Sequence, residues 1–94
     1  MSIDTSFIIP HKGREDMLIE TLTSIAGLTT PKEQYEVVLV SQNKEISNTL
    51  SAFIETVNLR VVYNDENNTI SHSRNLGAGL ATGEYLAFLD ADVA

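Results

Sequence analysis

The sequence predicts an α/β domain: a three-layer parallel sheet in Rossmann-like βαβαβαβ order, with strands arranged 3-2-1-4. Three observations carry that expectation. Four short runs have bulky apolar residues at most positions, as strands covered on both faces do. The segments between them carry apolar residues at helical spacing. Strand and helix alternate three times and end on a strand, which calls for right-handed crossovers with helices on the sheet's faces. In that order the chain reverses direction between strands 1 and 4, and a crevice opens at their carboxyl ends.

Strand 1 is Ser6-Phe7-Ile8-Ile9-Pro10, stopped by its proline. His11-Lys12-Gly13 makes a turn, and a helix from Arg14 to about Leu28 follows, with Leu18, Leu22 and Ile25 on one stripe. Gly27 and Thr29-Thr30-Pro31 end it. Strand 2, Tyr35-Glu36-Val37-Val38-Leu39-Val40, is rich in β-branched residues and opens into the polar Ser41-Gln42-Asn43. A second helix is expected from Glu45 to Val57, with Ile46, Leu50, Phe53, Ile54 and Val57 on its apolar face. Strand 3 is Leu59-Arg60-Val61-Val62-Tyr63, closed by the turn-rich segment Asn64 to Asn68. The third helix runs from about Ile70 to Ala81, with Thr69 as its N-cap and Gly83 as its stop. Gly77 and Gly79 are expected to let that helix approach the sheet closely, at about 1 kcal/mol each in propensity. Strand 4, Tyr85-Leu86-Ala87-Phe88-Leu89, reads as a buried strand that ends in Asp90-Ala91-Asp92.

Composition bounds the rest. Ninety-four residues suffice for one domain, 1–94, and 43% apolar with 20% charged residues is a globular balance. With no cysteine, disulfides and thiolate metal sites are excluded. The formal charge of −7 and the scattering of Lys12, Arg14, Lys32, Lys44, Arg60 and Arg74 argue against binding nucleic acid. No apolar run approaches the roughly 18 residues of a membrane helix, so a cytoplasmic setting is expected, with membrane association left to regions beyond residue 94.

Ionised carboxylates cannot stay unpaired in a sheet's core, so Asp90 and Asp92 must emerge at the carboxyl end of strand 4. Side chains alternate along an extended chain, so the two point the same way and can address one hard cation. Such a cation lets an acidic site hold an anionic substrate. The glycines of Gly77-Ala78-Gly79-Leu80-Ala81-Thr82-Gly83 follow no strand and are misspaced for a dinucleotide fingerprint. No phosphate-loop lysine motif or Ser-His-Asp order is present. A phosphoacceptor pocket of the signalling-receiver kind needs acidic residues after strand 1, where Pro10-His11-Lys12 supplies none.

Ser71-His72-Ser73-Arg74-Asn75-Leu76-Gly77, followed by Ala81-Thr82-Gly83-Glu84-Tyr85-Leu86-Ala87-Phe88-Leu89-Asp90-Ala91-Asp92, resembles the signature block of family 2 glycosyltransferases. Strands 1 and 2 also resemble that family's first two. The resemblance implies the N-terminal, nucleotide-sugar-binding half of a GT-A fold. It makes Asp92 the ligand of Mn2+ or Mg2+, and gives Asp90 a place on the metal's water shell or the ribose. It places Pro10, His11, Lys12, Ser41, Gln42 and Arg74 along the nucleotide. The implied reaction is inverting transfer of a sugar from a nucleoside-diphosphate donor, a UDP-sugar foremost, to a saccharide or lipid acceptor. The implied acceptor half and catalytic base lie beyond Ala94, so the segment holds no catalytic base and is expected to be inactive alone. Its strand 4 is then an apolar sheet edge, for which self-association is expected.

Two departures stand out. Ser41 and Gln42 occupy the place of the family's common Asp-Asp pair, which bears on base identity, and Val93 replaces a common third acidic residue. The alternative reading is a non-catalytic nucleotide-binding or interaction domain of the same fold.

Overall fold

Alternation along the two central strands decides where everything else packs. In the computed structural model, which describes residues 3–13, 15–65 and 67–89, β1 (Thr5–His11) and β2 (Tyr35–Ser41) run parallel, with Thr5 opposite Tyr35 and His11 opposite Ser41. Ile9, Val37 and Leu39 turn to one face, and Ile8, Val38 and Val40 to the other. β3 (Leu59–Tyr63) joins β2 and β4 (Tyr85–Phe88) joins β1, giving the parallel order 3-2-1-4 that the sequence predicts.

Helix α1 (Asp16–Ala26) lays Leu18, Leu22 and Ile25 on the first face, each buried and each worth about 1.5–3 kcal/mol of transfer free energy. It starts where the Glu15 carbonyl accepts the Ile19 N–H at 2.8 Å, and it ends where the Gly27 N–H returns to the carbonyls of Thr23 and Ser24, each at 3.2 Å. The single helix expected from Glu45 to Val57 is instead two short ones, α2 (Asn48–Ser51) and α3 (Phe53–Thr56). Ser47 is the reason for the late start: its hydroxyl caps the Leu50 N–H at 3.1 Å. Thr56 donates its hydroxyl back to the Ala52 carbonyl at 3.2 Å, a local bond that bends helical turns. Asn58, at φ 51°, closes the segment. Leu50 and Val57 reach the core, whereas Ile54 stays 43% exposed.

On the other face lies α4 (Ile70–Leu80), capped as expected by the Thr69 hydroxyl, which accepts the His72 N–H at 3.0 Å. A Cβ at Gly77 would come within 2.6 Å of Ile8 Cγ2 and 3.0 Å of Val40 Cγ2, so the helix rests directly on the sheet. Gly79 does not share that role, since nothing lies within 4 Å of where its Cβ would be. Nor is Gly83 the helix stop: α4 ends at Leu80 and Ala81 is already extended. Gly83 passes against β1, where a Cβ would sit 2.5 Å from Ser6 Oγ and 2.7 Å from the Ser6 nitrogen.

Two features shape the β4 side of the sheet. The bulky run Tyr85–Leu89 predicts a buried strand, but β4 is the sheet's open edge, and Tyr85, Leu86 and Phe88 are 66%, 43% and 49% exposed. Bulky residues announce a need for cover, and the helix on this face spends its cover on β1 and β2. Pro10, expected to stop strand 1, lies within β1. The carbonyls of Asp4, just before β1, and of Ile8 accept from the N–H groups of Tyr85 and of Leu89, just after β4, and the His11 carbonyl accepts from Gln42 beyond β2. Even positions therefore face β4, and the donor that Pro10 lacks is one that would have extended the β4 ladder past Leu89. No helix among the described residues is long and apolar enough to cross a membrane.

Candidate functional site

The carboxyl ends of β1, β2 and β3 meet as the topology requires. Pro10 pairs with Val40 and His11 with Ser41, and the Gln42 N–H donates to the His11 carbonyl at 2.8 Å. The structure thus brings Pro10, His11, Ser41 and Gln42 together. His11, Ser41 and Gln42 are buried, while Lys12 is exposed. Just beyond, the loops of two different crossovers are tied by one side chain. Asn43 Oδ1 accepts the Gly13 N–H at 3.0 Å, and Asn43 Nδ2 donates to the Gly13 carbonyl at 2.8 Å. Gly13 takes φ +98°, a backbone that side chains rarely adopt. A little further along the same loops, the Glu15 carboxylate accepts from both the N–H and the hydroxyl of Ser47.

Gln42 reaches the other way. Its Nε2 donates to the carbonyls of Asp65 at 3.0 Å and Asn68 at 2.6 Å, holding the loop between β3 and α4. Its Oε1 is buried and has no hydrogen-bond partner among the described residues. A buried acceptor left in that state is costly unless something donates to it. Asn64 is the hub of that loop. Its N–H donates to the Ser41 carbonyl at 2.8 Å, its Nδ2 to the Ser73 hydroxyl at 3.0 Å, and its Oδ1 accepts from Asn68 Nδ2 at 2.8 Å. The Asn64 amide also lies 3.0 Å from His72 Nδ1. Arg74, half-buried, follows Ser73 on α4, and Asn75 is exposed.

Gln42, Asn43, Lys44, Tyr63, Asn64 and Asp65 line a cleft of about 280 Å³. It sits at the carboxyl ends of β2 and β3, the ligand-binding end of open α/β sheets, beside the crevice expected between β1 and β4. A larger depression of about 610 Å³, lined by Lys32, Glu33, Ile54, Glu55 and Asn58, lies at the amino ends of the same strands, away from that chemistry. Asp90 and Asp92 lie outside the described residues. Among the described residues no group of three His, Asp or Glu side chains is placed to hold a metal ion.

Residue-by-residue reading of the sequence missed Asn43, Asn64 and the double bond from Gln42. The signal available was the cluster of amide side chains directly after two adjacent strands, the residue type that satisfies loop peptides.

Comparison with known proteins points to the same family. The profile of glycosyl transferase family 2 matches residues 6–94. Glycosyltransferase AglE of Haloferax volcanii is 33% identical over 92 residues, which is 93% of this chain and 30% of that protein. Among solved structures, S. aureus TarS 1–349 in complex with UDP superposes with a TM-score of 0.81 at 28% identity, over 96% of this chain and 28% of that one. The mannosyltransferase PcManGT from Pyrobaculum calidifontis, in complex with GDP-Man and Mn2+, shares the fold at a TM-score of 0.73 and 24% identity, over 98% of this chain and 28% of that one. The chain therefore spans less than a third of the length of each of these relatives.

Proposed function

This chain belongs to glycosyl transferase family 2, and from that premise we propose that it forms the donor site of a metal-assisted, inverting glycosyltransferase. The donor is a nucleoside-diphosphate sugar, with a UDP-sugar as the first choice because TarS, 28% identical, binds UDP. The acceptor is a saccharide or lipid. One observation supports the reading most: the cleft at the carboxyl ends of β2 and β3 is lined by Gln42, whose buried Oε1 has no donor among the described residues. The N–H of a nucleobase edge is such a donor.

Around it, Pro10, His11, Lys12 and Ser41 line the nucleotide, and Arg74 pairs with the diphosphate as a charged donor. Asp92 and Asp90 are the carboxylates of the metal site. Oxygen-only ligands suit Mn2+ or Mg2+, and a bound divalent ion supplies charge to the departing nucleoside diphosphate. The chain's own residues orient the base and diphosphate. The base that deprotonates the acceptor is assigned to no residue of this chain, and the 94-residue segment is proposed to bind donor without turning it over.

The test is calorimetric titration of the chain with UDP, GDP and CDP, with and without Mn2+. One nucleotide is expected to bind, in a metal-dependent way. A folded chain that binds none of them, together with a longer chain from the same protein that also binds none, would refute the donor-site reading. The replacement of the family's carboxylate pair by Ser41 and Gln42 favours a second reading, a non-catalytic nucleotide-binding domain. Binding without sugar release by the whole protein would select it.

The exposed apolar edge of β4 supports self-association as well. Sedimentation over a wide concentration range is expected to show a growing dimer or larger species, and a monomer at every concentration would count against it.

A further inference from the structure

At the amino end of the sheet, away from the cleft, a buried carboxylate stands outside the donor site. Glu36 on β2 is 7% exposed and lies on the α4 side. Its Oε2 accepts from the Ser6 hydroxyl at 2.6 Å, the Thr82 N–H at 2.6 Å and the Thr82 hydroxyl at 3.0 Å. Ser6 Oγ in turn accepts the Gly83 N–H at 2.8 Å. Arg60 on β3 reaches Glu36 Oε1 at 3.4 Å and donates to the Leu80 carbonyl at 2.6 Å. One cluster therefore gathers three strands, the end of α4 and the turn into β4.

β4 lacks the usual means of fixing its register. Register is ordinarily set by which alternate side chains are buried, and here Tyr85, Leu86 and Phe88 are all exposed, which leaves only the half-buried Ala87 and Leu89, the latter against the core, to weigh one register against another. The ladder discriminates little by itself. Its bonds from the Tyr85 N–H to the Asp4 carbonyl and from the Leu89 N–H to the Ile8 carbonyl, each 2.9 Å, have equivalents after a two-residue slip because backbone groups repeat. What a slipped strand cannot remake is the contact at Gly83. A slip of one or two residues brings Ala81, Thr82, Glu84 or Tyr85 there, each carrying a Cβ to a point 2.5 Å from Ser6 Oγ. The same slip withdraws the Thr82 donors from a buried carboxylate, which burial then penalises.

From these contacts we propose that Glu36, acting with Ser6 and Gly83, sets the register of β4 against β1 and is thereby a positioning residue for Asp90 and Asp92, which come directly after β4 in the chain. One residue of slip shifts the point at which the chain leaves β4 by about 3.3 Å and turns the strand's alternate side chains to the opposite face. The consequence for that pair rests on the donor-site function proposed above; the register does not.

Nuclear magnetic resonance on the whole chain tests it, with wild type, Glu36→Gln, Ser6→Ala and the hydroxyl-keeping Ser6→Thr. Wild type is expected to show cross-strand contacts pairing Ser6 with Leu86 and Ile8 with Phe88. In Glu36→Gln and Ser6→Ala those pairs are lost or displaced, and the Tyr85 and Leu89 amides exchange about tenfold faster or more. The Val37 and Gln42 amides, on the β2 side, keep their rates, and Ser6→Thr retains the wild-type pairs. Mn2+-dependent nucleotide affinity falls in step with the lost pairing. Unchanged β4 pairs in a folded Ser6→Ala chain, or exchange that quickens equally across the sheet, would overturn the proposal. If Glu36→Gln does not fold, Ser6→Ala decides. A wild type that binds no nucleotide would remove the donor-site reading and leave the register result standing.

Discussion

Glu36→Ala is expected to lower the free energy of unfolding by about 1–3 kcal/mol, the usual penalty for leaving a buried donor without its acceptor. The substitution leaves the buried Ser6 hydroxyl and the two donors of the exposed Thr82 without their acceptor. Arg60 contributes little to the total, because its side chain is 46% exposed and 3.4 Å away, and solvent screens the pair. A domain of this length has on the order of 5–14 kcal/mol in all, so the urea midpoint should move far. A midpoint shift worth less than about 1 kcal/mol, a typical surface value, would show the network to be incidental.

Acid gives the same network a second reading. Burial alone would raise the Glu36 carboxyl, but the bonds from Ser6 and Thr82 and the Arg60 charge outweigh it and hold the group below its usual 4.5. The unfolded chain therefore takes up this proton more readily than the folded one. Stability from Glu36 is full above about pH 4.5 and is lost as the pH falls through the depressed folded value. The stability gap between wild type and Glu36→Gln should accordingly narrow in acid.

The other large effect is expected at the metal. Asp92→Ala should weaken Mn2+-dependent nucleotide binding by about 100-fold or more, since even outer-sphere partners of a bound metal are worth 10–100-fold. In the proposed site Asp90 and Asp92 address a single cation, as alternate residues of an extended chain can. With one gone the cation is held more weakly, and it is the cation that offsets the diphosphate's charge in an acidic protein of formal charge −7. Calorimetry with and without Mn2+ reads this directly. Wild-type affinity in Asp92→Ala would strike Asp92 from the ligand set, and folding is controlled by an unchanged thermal midpoint.

Much of the fold was legible because its signals are local and redundant. Val37 to Val40 and Ile8-Ile9 are apolar without a break, and both faces of β2 are indeed covered. Thr69 announced the start of α4 by residue type alone, and the hydroxyl caps it. Where local chemistry competed with periodicity, periodicity lost: Ser47 and Thr56 divert the backbone into two short helices. Apolar content also misjudged β4, because a bulky run states what a strand requires and not what the chain provides.

The candidate site was legible by halves. Alternation and the expected strand order placed Pro10, His11, Ser41 and Gln42 at one end of the sheet, where the structure joins them. Asp90 and Asp92 entered through spacing and resemblance. The Asn43 bridge to Gly13 and the Gln42 bonds to Asp65 and Asn68 were hidden, because each links loops of separate crossovers. Glu36 did leave a sign. A charged residue inside an otherwise apolar central strand is the kind of exception that predicts a buried partner set.

The bond from Gly83 to Ser6 spans 77 residues of sequence. During synthesis β1 is made first, yet the strand that covers its second edge, and the glycine that locks it, arrive only after the intervening helices and two strands have passed. Closing so long a loop is among the least local steps in building the sheet. Until then one edge of the central strand stands open beside apolar neighbours, the arrangement most prone to wrong pairing. The contact that holds β4 against β1 is thus one the order of the chain makes available only late, however early Ser6 itself is made.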